Sequence, residues 1–125
     1  HTDTVVLSTI TAATDMADIT TDTTILVIDG TIASTDALET ALEASGSHAL
    51  LLDATITDGD AFLVLYDNGT NSFLATVELN DGGGDSLADG KAIGSTESAA
   101  INIVTFEGIA DCTTITAAMF TDIIA

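Results

Sequence analysis

Ala61-Phe62-Leu63-Val64-Leu65-Tyr66-Asp67-Asn68-Gly69-Thr70-Asn71-Ser72-Phe73-Leu74-Ala75-Thr76-Val77-Glu78-Leu79 reads as two β-strands and the turn that joins them. Asp67 to Asn71 is a cluster of turn-forming residues, with Asn68-Gly69 at its tip, and apolar runs flank it on both sides. On the second run Phe73, Ala75, Val77 and Leu79 share one face, with Thr76 and Glu78 on the other, which is the period of a strand. A hairpin of this kind places the chain in the mainly β class.

The same pattern extends outward. Thr24-Ile25-Leu26-Val27-Ile28 closes at Asp29-Gly30, as expected of a buried strand that ends in a turn. Thr4-Val5-Val6-Leu7, His48-Ala49-Leu50-Leu51-Leu52 and Ala100 to Phe106 are further strand candidates, whereas Ser8 to Thr24 reads as loop with at most a short strand. One helix is expected, over about residues 34–45. Ala37, Leu38, Ala41 and Leu42 form its apolar face, acidic residues sit in its first turn, and Gly46 is placed to end it. Thr113 to Phe120 is read as a short helical turn. The expected fold is a compact β-sandwich or β-sheet domain with that one helix packed on it. It forms a single domain over residues 1–125, with 1–23 as a loosely packed or strand-donating N-terminal segment.

Composition narrows the function. Twenty acidic residues stand against one lysine, Lys91, for a net charge of −19. Phosphate neutralisation requires clustered Lys and Arg, so nucleic acid is excluded as a partner, and an anionic membrane surface for the same reason. Such a charge destabilises a small body unless cations gather on it. Calcium, which takes all-oxygen sites, is the expected cation. The acidic, glycine-rich loop Asn80-Asp81-Gly82-Gly83-Gly84-Asp85-Ser86-Leu87-Ala88-Asp89 is the first candidate, with ligands from Asn80, Asp81, Asp85 and Asp89. A second, weaker set is Asp58, Asp60 and Asp67. Ordinary Asp/Gly turns explain both stretches equally well. Asn68-Gly69-Thr70 matches the glycosylation sequon at a hairpin tip, a short motif that also arises by chance.

Catalytic signals are poor. His48 beside Asp53 and a serine forms a triad only on paper. Cys112 is the single cysteine and has no basic neighbour to activate it. Gly82-Gly83-Gly84 lacks the Lys and Ser/Thr of a phosphate loop. The expectation is therefore no enzyme. With no internal disulfide available and no basic, apolar leader at His1 to Thr4, an extracellular or cell-surface location in a prokaryote is expected, reached after removal of a signal or by export information within the chain.

Ile25-Leu26-Val27-Ile28-Asp29-Gly30, the strands Phe62 to Asp67 and Phe73 to Leu79, Ile103-Val104-Thr105-Phe106-Glu107-Gly108-Ile109 and the close Ile115-Thr116-Ala117-Ala118-Met119-Phe120 follow one another in an order that resembles the C-terminal region of RTX-type, type I secreted bacterial surface-layer and hemolysin-like proteins. The resemblance implies secretion without an N-terminal signal. The Gly-Gly-x-Gly-x-Asp repeat of that family is not in the chain, so its calcium sites are carried to no residue here. Together these features point to a secreted structural subunit that self-assembles through strand edges into a filament or surface layer, with Thr2 to Leu7 as a strand for a neighbour. The alternative is a monomeric calcium-dependent adhesion or export module that holds a glycan or receptor.

Overall fold

Ile25, Leu26, Val27 and Ile28 are all buried, and a strand buried on both faces must lie inside a sheet covered on both sides. The computed structural model, which describes residues 5–11, 14–15, 23–51, 59–80 and 92–120, has this arrangement. The elements run β1 (Val5–Ile10), β2 (Thr14–Asp15), β3 (Thr23–Thr31), α1 (Thr35–Leu42), β4 (Leu50–Leu51), β5 (Ala61–Asp67), β6 (Ser72–Leu79), β7 (Ser98–Phe106) and a 3-10 turn at Cys112–Thr114. The fold is mainly β. It is one five-stranded sheet in the order β1-β3-β5-β6-β7, with β2 and β4 forming a small two-stranded sheet of their own. No second large sheet completes a sandwich among the described residues.

The predicted hairpin is β5 and β6, antiparallel from Ala61↔Glu78 to Asp67↔Ser72. Gly69, at a φ of +80°, takes the left-handed position that a side chain would disfavour. β7 continues the antiparallel half, with an irregularity where Asn102 and Val104 face Ala75 and Leu74. The other half is parallel: β1 pairs with β3, and β3 with β5. A parallel pair needs a long crossover, and α1 lies in the one between β3 and β5. Ser34 caps the helix by accepting from the Ala37 N–H at 3.2 Å. The helix stops at Leu42, short of the expected end, because Glu43 turns extended and bridges Ile93. Gly46 follows so closely that a Cβ there would collide with the carbonyls of Thr40 and Ala41. Of the stretch read as a strand from His48 to Leu52, the described part pairs at Leu50–Leu51, while the His48 N–H bonds back to Ala41; Leu52 lies outside the described residues.

Two apolar layers result. Leu38, Ala41 and Leu42 of α1 pack on Leu26, Ile28, Val64, Tyr66, Ala75, Val77 and Leu79, so the face predicted for β6 is the one the helix covers. On the opposite face Cys112, Ile115 and Phe120 of the C-terminal return cover Val5, Ile25, Val27, Leu65 and Leu74. A short return of 3-10 and turn geometry thus does the work expected of a second sheet. Of Thr2 to Leu7, expected as a strand for a neighbour, Val5 to Leu7 belong to β1 and pair with β3 of the same chain; Thr2 to Thr4 lie outside the described residues. Truncating Ile28 or Leu38 to Ala is expected to cost about 2–5 kcal/mol in urea unfolding, against less than about 0.5 kcal/mol for exposed Ile101→Ala.

Candidate functional site

Three groups of residues hold the chemistry of this chain: the hairpin tip, the His48 corner and the edges of the sheet. At the tip, Asp67 is buried. Its Oδ1 accepts from the Gly69 N–H at 3.0 Å and its Oδ2 from the Cys112 N–H at 3.1 Å. Two neighbours extend the junction: Asn71 Oδ1 accepts from the Gly108 N–H at 2.9 Å, and the Ser72 hydroxyl donates to the Ile109 carbonyl at 2.7 Å. Three residues of the hairpin therefore latch the C-terminal return to the sheet. Asn68, the sequon residue, uses its side-chain oxygen to accept from the N–H groups of Thr70 and Asn71, the usual role of an Asn in a turn.

Of the calcium candidates, Asp60, Asp67 and Asn80 lie among the described residues. Asp60 and Asp67 lie at opposite ends of β5, roughly 20 Å apart at a strand's rise per residue, and both Asp67 oxygens accept from backbone N–H groups. Asp58, Asp81, Asp85 and Asp89 lie outside the described residues, and so does Asp53. Asn80 is described, and its N–H bonds to the Glu97 carbonyl at 2.8 Å. Among the described residues no group of three His, Cys, Asp or Glu side chains is placed to hold a metal ion.

His48 is buried, with Nε2 3.1 Å from the Asp29 carbonyl and Nδ1 2.8 Å from the Ser47 hydroxyl. A carbonyl can only accept, so Nε2 carries the proton, and Nδ1 accepts from Ser47. The imidazole is thereby fixed as a strut between the end of β3 and the turn after α1. Cys112 is fully buried, and its thiol donates to the Ile28 carbonyl at 3.2 Å. Burial first, then the neighbouring Asp67 carboxylate, pushes the thiol up to about 12, so little thiolate forms at neutral pH.

Strand edges are expected from the sequence, but which strands form them is not legible there. β1 and β7 are the outer strands, and neither Val5–Ile10 nor Ser98–Phe106 contains a charged residue. The acidic residues of the sheet, Asp29, Asp67 and Glu78, all sit on inner strands. On β7 Ile101 and Ile103 are 63% and 53% exposed, although their sequence context looks like core. Glu39 of α1 reaches this edge, and its Oε1 accepts from the Ala100 N–H at 2.7 Å. Among the described residues no helix is long and apolar enough to cross a membrane. No family model, curated protein or solved structure matches the chain.

Two outcomes test this picture. Asp67→Ala removes two acceptors and is expected to cost about 2–4 kcal/mol of stability, while native Cys112 changes from inert to reactive toward a thiol reagent. For pH, burial raises Tyr66 as well as Cys112, outweighing the Asn102 hydrogen bond on Tyr66. Both groups are neutral below their unfolded values, near 9 and 10. Their contribution is therefore fully present at neutral pH and is lost as pH rises toward the folded values. Denaturant titrations should show stability falling above about pH 9, with the single tyrosine ionising above 10 in its ultraviolet absorbance.

Proposed function

We propose that this chain is a non-catalytic structural subunit that assembles outside a prokaryotic cell, as a filament or surface layer, by joining sheet edge to sheet edge. The observation that carries this is the distribution of charge on the sheet. Proteins usually block exposed edges with Lys, Pro or inward-pointing charge. Here the chain has no proline, and both outer strands are uncharged in a molecule of net charge −19. A seam of uncharged strands lets two such bodies touch along residues that carry no carboxylate of their own, with the Glu39 carboxylate of α1 bonded at its margin to the Ala100 N–H. Outer strands offer unpaired N–H and C=O groups, the chemistry of strand addition. With two such edges per subunit, growth continues in a line instead of closing at a dimer.

Calcium belongs to this proposal as the cation that neutralises the acidic surfaces flanking the seam, and secretion belongs to it through the resemblance to type I secreted proteins. Negative-stain electron microscopy of the purified chain in millimolar Ca²⁺, repeated after EGTA, is the direct measurement. Ordered filaments or sheets are expected, thinning or vanishing after EGTA. Discrete monomers in both conditions would sink self-assembly and leave the monomeric adhesion or export module, to be pursued by ligand binding. Ile101→Lys, a charge at an exposed position of β7, is expected to abolish assembly while leaving the melting temperature within a few degrees of the parent.

A further inference from the structure

The direction of the strands distinguishes two ways of joining edges. β1, β3 and β5 run parallel, β6 runs against them, and β7 runs against β6, so β7 points the same way as β1. Head-to-tail stacking therefore sets β7 against a neighbour's β1 as a parallel pair. A two-fold axis sets β7 against β7 as an antiparallel pair. Antiparallel ladders have the better-aligned hydrogen bonds. Only the two-fold arrangement brings the exposed Ile101 and Ile103 of one copy against the same residues of another, and an uncharged strand is its own complement in charge.

We propose that the β7 seam is formed by β7 of a second copy of this chain, antiparallel about a two-fold axis, along the exposed stretch Ile101–Thr105. This rests on the edge-to-edge assembly proposed above. The bonding groups of the seam follow from the register. Ala100 lies opposite Val77, and its N–H is taken by Glu39 rather than by β6, so Ala100 turns outward. Alternation along the strand then turns Asn102 outward as well. Glu39 consequently occupies one outward N–H of the edge, two positions before Asn102, and in each copy it guards one end of the seam. A neighbour's carbonyl that takes the Ala100 N–H displaces that carboxylate.

The test is a cysteine placed singly at Ile101, Asn102, Ile103 and Thr105 in the full chain, oxidised under assembly conditions. The parent is its own control, because Cys112 is buried and does not react. In the antiparallel seam one position stands nearest the axis, where facing Cβ atoms come within disulfide reach. The yield of disulfide-linked dimer should peak there and decline on either side. Assemblies visible by microscopy with no cross-link at any of the four positions would overturn the β7–β7 seam and leave edge-to-edge growth standing. Failure of every chain to assemble, the parent included, would remove both. The guard is read separately. Glu39→Ala should lower the protein concentration at which assembly begins by about tenfold, the worth of one charge-assisted hydrogen bond. Glu39→Gln, which retains the helix and an acceptor oxygen, should fall between. An onset unchanged in both variants, with melting temperatures like the parent's, would show that Glu39 guards nothing.

Discussion

Everything in this fold follows from the need to bury β3 on both faces. Ile25 and Val27 point one way, Leu26 and Ile28 the other, so neither side of the sheet can be left to water. Each face solves the problem with a different element. The helix face uses the crossover that a parallel β3–β5 pair requires in any case. On the opposite face, among the described residues, the chain supplies the cover by turning back after β7 and laying Cys112, Ile115 and Phe120 across the strands. Phe120 meets Phe106 edge-to-face at 6.0 Å, while Tyr66 stacks on Phe73 at 5.2 Å beneath the helix. With few aromatic residues in the chain, two in each layer hold the corners, and aliphatic side chains fill the rest.

Charge is handled by exclusion. Among the described residues the buried polar side chains are few: Asp67, Ser72, Glu97 and His48 bond to backbone groups or a hydroxyl, and the Ser98 hydroxyl has no partner. Asp67 takes two N–H groups, Glu97 takes the Gly94 N–H at 2.7 Å, and His48 is held by a carbonyl and a serine. A carboxylate that accepts from backbone N–H groups supplies a junction without a basic residue, which matters in a chain with almost none. The same economy leaves the outer strands free of charge. Among the described residues the acidic positions of the five-stranded sheet fall on its inner strands, and the two outer strands carry none.

Much of this was legible in the sequence, and the gaps have physical causes. The hairpin was readable because Asn68-Gly69 and the alternation after Phe73 are local signals. The start of α1 was readable because Ser34 caps through its own neighbours. Its end was not, since Glu43 is drawn extended by Ile93, fifty positions further along the chain. Strand direction leaves no trace in periodicity, so the parallel half of the sheet was unforeseen, and one sheet could not be told from a sandwich when the second cover is a short irregular return. Asp67 looked like a cation ligand because its second partner, the Cys112 N–H, is distant in sequence. The strand from Ala100 to Phe106 was readable but its place at the edge was not, because an outermost strand and a central one can be written with the same residues.

The C-terminal return also sets a schedule. The layer that contains Val5 is closed by Ile115 and Phe120, far later in the sequence, so a chain emerging N-terminus first cannot complete that layer until the stretch after β7 is free. Until then Ile25, Val27 and Leu65 lie on an uncovered face, and the parallel pairings that flank them are among the slower contacts to form. The sheet therefore acquires its second cover, and with it a defined pair of edges, late in the order of synthesis.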